Sequence, residues 1–268
     1  CHQRRLNRES FLSISQDTPR RALVVGASSG IGRTTAKRFA AQGIHVVGAA
    51  RRADRLRDLA EESDVEVVVG SIESPDGCRA IVEEATGLLG GIDILVNVAA
   101  IGAAHEQSVV DEPLSDWRLS ISMNLEAPFV LLQAVARGMC EQRFGRIVFV
   151  TSTAAELGGP RMPAYCASKH GLLGLVRASA IDLAPYGVTC NAVGPGWVRT
   201  EMSQRLVDAM ASSRGESSDE IWAEIERGYP SGRVATETEV AHAIAMLVAD
   251  DASGISGQHV AVAMGGSW

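Results

Sequence analysis

The stretch Gly26-Ala27-Ser28-Ser29-Gly30-Ile31-Gly32 decides the fold, because its glycines separate two regular segments. An apolar run at 22–25 precedes it, and helical spacing over 31–42 follows it. A glycine-rich turn between a strand and a helix lets the backbone approach a pyrophosphate, whose negative charge suits the helix N-terminus. The stretch therefore predicts a dinucleotide-binding unit. Its expected cofactor contacts are Gly26, Ser28, Ser29, Gly30, Ile31 and Gly32.

Short apolar runs alternate with longer amphipathic segments along the rest of the chain. Further strands are expected at 45–50, 65–69, 92–98, 146–151, 188–193 and 258–262, and further helices at 56–61, 81–89, 117–140, 165–184 and 237–249. Near-continuous apolar strands separated by helices indicate a parallel sheet covered on both faces. We predict an α/β fold with a single Rossmann-type, doubly wound, parallel seven-stranded sheet and helices on both faces.

The domain organisation is expected to be simple. Residues 1–20 carry arginines and serines without the apolar stretch of a secretory signal, and are predicted to be a flexible N-terminal extension. A single dinucleotide-binding catalytic domain is then expected over 21–268. Within it, the segment at about 200–233 is polar in its middle and is predicted to be a helical insertion that acts as a lid over the substrate.

Composition narrows the classes of partner. The 268 residues carry a formal net charge of −7, which argues against nucleic acid or an anionic membrane as the main partner. No apolar run is expected to reach the ~20 residues of a membrane span. The five scattered cysteines and six histidines show no ligand spacing, so no metal site is predicted and a reducing, cytoplasmic location is expected.

The end of the second predicted strand reads Ala49-Ala50-Arg51-Arg52. In Rossmann proteins that prefer NAD, an acidic residue here holds the ribose 2′-hydroxyl. Two guanidiniums stand here instead, and a 2′-phosphate needs such planar, charged donors. Arg51 and Arg52 therefore predict NADPH or NADP+ as the cofactor, ahead of NADH. The alternative is that they form the solvated start of the next helix.

Tyr165 and Lys169 lie four residues apart and share one face of a predicted helix. At about 4 Å and an effective dielectric of 20, an ammonium favours a phenolate by roughly 4 kcal/mol. That corresponds to a lowering of the tyrosine pKa by roughly 3 units before desolvation offsets part of it. The pair predicts a tyrosine that gives or takes a proton at working pH. The alternative is an ordinary pair of surface neighbours.

With these motifs in order, residues 21–268 resemble the short-chain dehydrogenase/reductase family. The glycine-rich turn matches that family's nucleotide loop, and Asn97-Val98-Ala99-Ala100 resembles its Asn-Asn-Ala-Gly segment. Asn124 matches the active-site asparagine, and Ser152 stands 13 residues before Tyr165, the family's usual interval. The stretch from Asn191 to Gly196, continued by Val198 and Thr200, resembles the part that embraces the nicotinamide.

The resemblance implies roles for these residues. It implies a catalytic set of Asn124, Ser152, Tyr165 and Lys169, and further cofactor contacts at Ser71, Ile72, Asn97, Ala99, Tyr165, Lys169, Pro195, Gly196, Val198 and Thr200. Tyr165 would move the proton, Lys169 would lower the tyrosine pKa and hold ribose hydroxyls, Ser152 would orient the substrate oxygen, and Asn124 would hold a water. The alternatives are that Ser152 is a strand-end cap and that Asn124 is satisfied within its own helix region. Ser71 departs from the family pattern, because many relatives have an aspartate there.

The function implied is an NADPH-dependent interconversion of a small-molecule ketone and a secondary alcohol. A 3-oxoacyl reductase acting on carrier-protein or coenzyme A thioesters, or a 3-hydroxybutyrate dehydrogenase-like enzyme, is the alternative. A dinucleotide-sensing module without activity and a nucleotide-sugar epimerase are less favoured. The expected substrate pocket is lined by Ala103, Ala104, His105, residues 156–162, Met202, Leu206, Met210 and Trp222. A homotetramer, or else a homodimer, built on the two long helices that start near Trp117 and Tyr165 and on the C-terminal strand region is also implied.

Overall fold

The computed structural model describes residues 19–102 and 107–266. Within them one sheet is formed by β1 (Arg21–Val25), β2 (His45–Ala50), β3 (Val65–Val69), β4 (Ile94–Asn97), β5 (Gly145–Val150), β6 (Val188–Pro195) and β7 (His259–Val262). Its order is β3-β2-β1-β4-β5-β6-β7, and each neighbouring pair is parallel. The strand order reverses between β1 and β4, where open α/β sheets bind their ligands. The predicted seven-stranded, doubly wound sheet is confirmed.

Helices cover both faces of this sheet, as predicted. They are α1 (Gly30–Ala41), α2 (Ala53–Glu62), α3 (Pro75–Leu89), α4 (Leu114–Ile121), α5 (Ala127–Gln142), α6 (Pro163–Leu183), α7 (Glu201–Arg214), α8 (Ser218–Arg227) and α9 (Glu237–Val248). On one face α3 and α6 bury Ile81 and Val176 against the strands. On the other face α1 and α9 bury Phe39 and Ile244. Because helices pack on both faces of the sheet, a site for ligands is expected at the ends of the strands.

Helix α3 begins six residues before the expected start at residue 81, at Pro75. The hydroxyl of Ser74 accepts a hydrogen bond of 3.1 Å from the Gly77 amide, which caps the first turn. Proline at the first helical position costs the helix no hydrogen bond, because an N–H at that position has no acceptor within the helix. This start was therefore visible in the sequence as a serine followed by a proline.

The predicted single helix at 117–140 is wrong in two respects. It starts earlier, at Leu114, and α4 passes through a π-helical turn, Ser122–Glu126, before continuing as α5. Pro128 gives the physical reason, because it has no N–H to donate to the carbonyl of Asn124 and its ring crowds that carbonyl. A widened turn is a common response to such a defect, and such turns are frequent at functional sites.

The same span, Leu114–Gln142, is long and apolar enough to cross a membrane, and it is the one such helix within the described residues. The span is not an uninterrupted apolar run, because Asp116, Glu126 and Arg137 lie within it. Half of its most apolar window is buried inside the fold. Its apolar character is therefore explained by packing against β4, β5 and the neighbouring helices.

The segment expected to be a helical insertion contains α7 and α8. Each begins with a capping box, at Thr200 and at Ser217, in which side chain and backbone satisfy each other. The two helices have a small core of their own, which includes Val207, Ile221 and Trp222. The insertion is thus a packed helical pair and not an irregular loop.

Candidate active site

The glycine-rich turn is built by close backbone approach at its two ends. A Cβ on Gly26, whose φ is +94°, would lie 2.7 Å from the amide nitrogen of Ala99. A Cβ on Gly32 would lie 2.2 Å from the carbonyl oxygen of Gly26. Both glycines are therefore required, and the first of them brings Ala99, just after β4, against the turn.

Arg52 lies across this turn. Its guanidinium donates to the hydroxyls of Ser28 at 3.0 Å and Ser29 at 2.5 Å, and to the carboxylate of Glu201 at 2.6 Å. Arg51 points elsewhere and pairs with Glu73. The two arginines predicted to read the 2′-phosphate are therefore not equivalent, because only Arg52 contacts the nucleotide turn.

The remaining predicted cofactor residues surround the turn in different ways. Asn97 is 2% exposed, and its Oδ1 has no hydrogen-bond partner among the described residues. Ser71 accepts a hydrogen bond from the amide of Glu73 at 3.2 Å. Ile72 and Val198 are buried, 6% and 5% exposed, so their side chains pack in the protein and leave only their main chains for a cofactor.

The segment after β6 closes the site from the opposite side. The hydroxyl of Tyr229 accepts a 2.7 Å hydrogen bond from the amide of Trp197, and a Cβ on Gly196 would lie 2.5 Å from that hydroxyl. Thr200 faces the glycine-rich turn, since a Cβ on Gly30 would lie 3.4 Å from its methyl group. Tyr229 was not singled out from the sequence, yet it anchors the Pro195–Gly196 backbone to the insertion.

Tyr165 projects from α6 toward Ser152, with which its hydroxyl shares a hydrogen bond. Burial raises the pKa of Tyr165 above its ordinary value, and the bond to Ser152 only partly offsets this. Burial also lowers the pKa of Lys169 to about 8. The ammonium of Lys169 donates to the carbonyl of Val150 at 3.1 Å and lies 5.7 Å from the centroid of the Tyr165 ring.

These values correct the expected lowering of the tyrosine pKa by Lys169. The expected lowering requires the Lys169 ammonium to lie about 4 Å from the Tyr165 hydroxyl and requires the desolvation of the tyrosine to be only partial. In the structure the cation faces the ring, and desolvation disfavours both charged forms, although Lys169 is buried and the Tyr165 side chain only half-buried. The protein's own groups therefore keep Tyr165 protonated at neutral pH.

Ser152 has two partners at once. Its hydroxyl accepts a 3.1 Å hydrogen bond from the amide of Ala154 and caps the short 3₁₀ turn Thr153–Ala155. The same side chain is bonded to Tyr165. The cap that was posed as an alternative is therefore present together with the bond to Tyr165, and the cap fixes the position of the hydroxyl.

Asn124 is fully buried in the π-helical turn. Its side chain pairs with the backbone of Ile101, accepting at 2.9 Å from the amide and donating at 3.0 Å to the carbonyl, and it reaches Ser168 at 3.2 Å. The alternative that Asn124 is satisfied within its own helix region is wrong. Its side chain ties α5 to the loop after β4 and to α6, which leaves its main-chain carbonyl as the group available to a water.

A second polar group, not recognised in the sequence, supports the Ser152 loop. His259 on β7 has a side chain 2% exposed, with Nε2 at 2.9 Å from the Thr151 hydroxyl and Nδ1 at 3.2 Å from the Glu156 carboxylate. At the second distance Nδ1 makes no hydrogen bond with the carboxylate. Gly194 makes room for the ring, since a Cβ there would lie 2.1 Å from Nε2.

The expected substrate pocket is described only in part. Ala103, Ala104 and His105 lie outside the described residues. Met202 is exposed and near Gly102, where a Cβ would lie 3.8 Å from its sulfur. Trp222 does not line a pocket, because it is 1% exposed, packs edge-on against Trp197 and donates to Gln204 at 2.9 Å.

The residues present fit a phosphorylated dinucleotide. The guanidinium of Arg52 lies on the nucleotide turn, and the buried Oδ1 of Asn97 has no partner among the described residues. Gly30 has no side chain at the point where Thr200 approaches the turn. Together with the strand order, these features define a Rossmann-type protein with a site for a phosphorylated dinucleotide.

Comparison with known proteins narrows this class. Residues 26–267 match the family model described as enoyl-(acyl carrier protein) reductase. The chain is 36% identical over 251 residues to the ketoacyl reductase 1 assigned to the granaticin polyketide synthase of Streptomyces violaceoruber, which covers 91% of this chain and 92% of that protein. It is 32% identical over 239 residues to the 3-oxoacyl-(acyl-carrier-protein) reductase of Escherichia coli strain K12, covering 88% and 93%.

A solved structure agrees with these relatives. A single-residue variant of actinorhodin polyketide ketoreductase, determined with NADPH, superposes with a TM-score of 0.87 at 30% identity, covering 93% of this chain and 98% of that one. The chain therefore belongs to the short-chain dehydrogenase/reductase family, as the sequence motifs indicated. It is an oxidoreductase of that family, acting on alcohol and keto groups.

Proposed function

We propose that this protein is an NADPH-dependent reductase that converts a ketone into a secondary alcohol. The observation that carries the proposal is the Tyr165 hydroxyl, which is bonded to Ser152 and whose pKa is above its ordinary value, so that it is protonated at neutral pH. Reduction of a ketone requires a proton donor at the carbonyl oxygen. A phenol with a raised pKa carries such a proton at neutral pH. NADPH supplies the hydride when it is bound.

The four catalytic residues have distinct tasks in this proposal. Tyr165 donates its proton to the substrate oxygen, and Ser152 holds that oxygen by a second hydrogen bond. Lys169, charged below a pKa of about 8, stabilises the phenolate that remains. The main-chain carbonyl of Asn124, whose helical donor is replaced by Pro128, holds the water through which the proton is restored.

Arg52 is proposed as the main holder of the 2′-phosphate, with Arg51 in support. A guanidinium that already spans Ser28 and Ser29 can turn its planar donors to a phosphate above the turn. Arg51 must leave Glu73 to do the same. The nucleotide preference is therefore assigned to both arginines, with unequal shares.

A second candidate function concerns the type of ketone. The relatives include a ketoacyl reductase of a polyketide synthase and a 3-oxoacyl-(acyl-carrier-protein) reductase. Both names describe a ketone on an acyl chain, and the second places it two carbons from the acyl carbonyl. We therefore propose 3-oxoacyl thioesters as the first substrates to test, and simple cyclic or aromatic ketones as the second.

An assay of NADPH oxidation at 340 nm separates these possibilities. The panel comprises acetoacetyl-coenzyme A, the N-acetylcysteamine thioester of a 3-oxo acid, cyclohexanone, crotonyl-coenzyme A and a nucleotide-sugar ketone. Turnover of either 3-oxo thioester or of cyclohexanone supports the proposal. Turnover of crotonyl-coenzyme A alone would instead indicate an enoyl reductase, and no turnover of any ketone would refute the proposed reaction.

The assembly and location are proposed on similar grounds. Leu114, Trp117 and Phe129 on the long helix and Ile181 on α6 are large, exposed apolar side chains. Such residues on two helices favour contact with a second copy of the chain, so we propose a homotetramer or homodimer in the cytoplasm. The catalytic domain is assigned to 21–268, with 200–233 as its lid. Light scattering on the purified chain tests the assembly, and a monomer at micromolar concentration would refute it.

A further inference from the structure

Three cations converge on the first residue of the lid. The carboxylate of Glu201 lies 2.6 Å from the guanidinium of Arg52, 3.4 Å from that of Arg55 and 3.9 Å from that of Arg205. The hydrogen bond from Arg52 is the main reason that the pKa of Glu201 is below its usual value. Glu201 is therefore an anion held at the centre of an arginine cluster.

The position of this cluster is informative. Arg52 directly precedes α2 at the end of β2, and Glu201 is the first residue of α7. The ion pair between them passes over the hydroxyls of Ser28 and Ser29. A cavity of about 440 Å³ opens beside it, lined by Arg199, Thr200, Glu201, Gln204, Arg205 and Glu237. The carboxylate thus takes up a donor of the same guanidinium that reaches the nucleotide turn.

We propose that Glu201 is a specificity-determining residue, whose carboxylate occupies the place on Arg52 that the 2′-phosphate of NADPH takes. Binding of the phosphorylated nucleotide then separates Glu201 from Arg52, whereas binding of the unphosphorylated nucleotide leaves the ion pair intact. The carboxylate is also a like charge next to the incoming phosphate, which weakens binding further. This inference rests on the proposed use of NADPH.

The neighbouring ion pair offers a contrast. Arg199 pairs with Glu226 at 2.9 Å and lies over the ring of Trp222, so that it belongs to the packing of the insertion. Glu226 touches neither Arg52 nor the nucleotide turn in the contacts of the described residues. A charge removed there changes the net charge of the lid by the same amount without altering the arginine cluster.

The experiment measures binding of two small fragments by titration calorimetry, so that it does not depend on turnover. Adenosine 2′,5′-bisphosphate carries the 2′-phosphate, and adenosine 5′-diphosphate does not. The proteins are wild type, Glu201→Gln and Glu226→Gln, with thermal unfolding recorded for each to show that it is folded. Glutamine keeps the size of the side chain and removes its charge.

The proposal predicts that Glu201→Gln binds adenosine 2′,5′-bisphosphate about tenfold more tightly than wild type, because a competing charge is gone. Binding of adenosine 5′-diphosphate, and both affinities of Glu226→Gln, should change by less than about twofold. Unchanged or weaker binding of the bisphosphate by folded Glu201→Gln would overturn the inference. If wild type itself bound the bisphosphate no better than the diphosphate, the proposed use of NADPH would fail first, and this inference with it.

Discussion

The ammonium of Lys169 lies 5.7 Å from the centroid of the Tyr165 ring and is bonded to the carbonyl of Val150. The two residues share the face of α6 that turns toward the end of β5. Burial moves the pKa of the tyrosine up and that of the lysine down to about 8. At neutral pH the pair is therefore a protonated phenol beside a cation, which is the protonation state that reduction of a ketone requires.

This protonation state predicts how activity depends on pH. Lys169 is charged below its pKa of about 8 and neutral above it, while Tyr165 stays protonated to a pKa above its ordinary value. The kcat/KM for ketone reduction should therefore be level at neutral pH and fall as pH rises through about 8. The profile of kcat/KM between pH 6 and pH 10 measures this, because it reports the pKa values of the free enzyme.

Lys169→Arg is the matched control for this profile, since a guanidinium stays charged throughout the range. In this variant the decrease of kcat/KM should move to higher pH and follow the titration of Tyr165, even if kcat/KM is lower than in wild type at every pH. An identical fall near pH 8 in wild type and Lys169→Arg would assign the titration to another group.

The two arginines after β2 should contribute unequally to nucleotide preference. Arg52→Ala removes the guanidinium that contacts Ser28 and Ser29, and we expect the KM for NADPH to rise at least about tenfold, as is usual for loss of a charged hydrogen bond. Arg51→Ala should raise it by less, because Arg51 is turned toward Glu73. The KM for NADH should change little in either variant. A larger effect at Arg51, or a wild type that prefers NADH, would contradict this assignment.

The buried His259 should act on the rate through Thr151. The Thr151 hydroxyl donates to the carbonyl of Val193 at 3.0 Å, so it accepts from Nε2 of His259, which must carry a proton. His259→Leu leaves this hydroxyl without its donor, next to Ser152, and we expect kcat to fall about tenfold with the dissociation constant of NADPH unchanged. Steady-state kinetics with nucleotide titrations measure both.

His259→Gln tests whether positioning is the cause. Its amide can place a donor near the position of Nε2, so it should recover most of the lost kcat, while the exposed His45→Leu should resemble wild type. Equal losses of kcat in the leucine and glutamine variants, or no loss in either, would rule out a positioning role for this hydrogen bond.

Trp222 should hold α7 and α8 together without touching the substrate. It is 1% exposed, and Trp222→Ala should lower the free energy of unfolding by about 3–5 kcal/mol, as large-to-small changes in a core do. We expect the KM for the ketone to rise and the dissociation constant of NADPH to stay constant. Tyr186→Ala, at a half-exposed aromatic residue outside the insertion, is the control for denaturant unfolding and kinetics. Similar stability in both variants would show that α7 and α8 need no core of their own.

The sequence was sufficient for the sheet and for the residues that meet at its edge. The parallel, doubly wound sheet follows from the alternation of apolar runs and helices, and the need for glycine in the turn follows from the close approach of Gly26 and Gly32 to neighbouring backbone. Those constraints are local, so residue type and spacing reveal them. The start of α3 at Ser74-Pro75 and the π-helical turn before Pro128 were also local signals, although they were overlooked.

Other features depend on contacts between distant segments. Spacing alone put the Lys169 charge near the Tyr165 hydroxyl, but the pKa of each depends on how much water the fold removes. The choice between Arg51 and Arg52 depends on Glu73 and Glu201, which come 22 and 149 residues later in the chain. No pattern within one segment identifies such partners.

The most direct test of the proposed mechanism is the turnover of Tyr165→Phe, which removes one hydroxyl and keeps the ring. The account predicts that ketone reduction at pH 7 falls by about 10²–10⁴-fold, the usual contribution of a general acid. The dissociation constant of NADPH, measured by fluorescence titration, should stay within about twofold of wild type. Reduction at a rate near that of wild type, by a variant that still binds NADPH, would show that the proton comes from another group and would contradict the central claim.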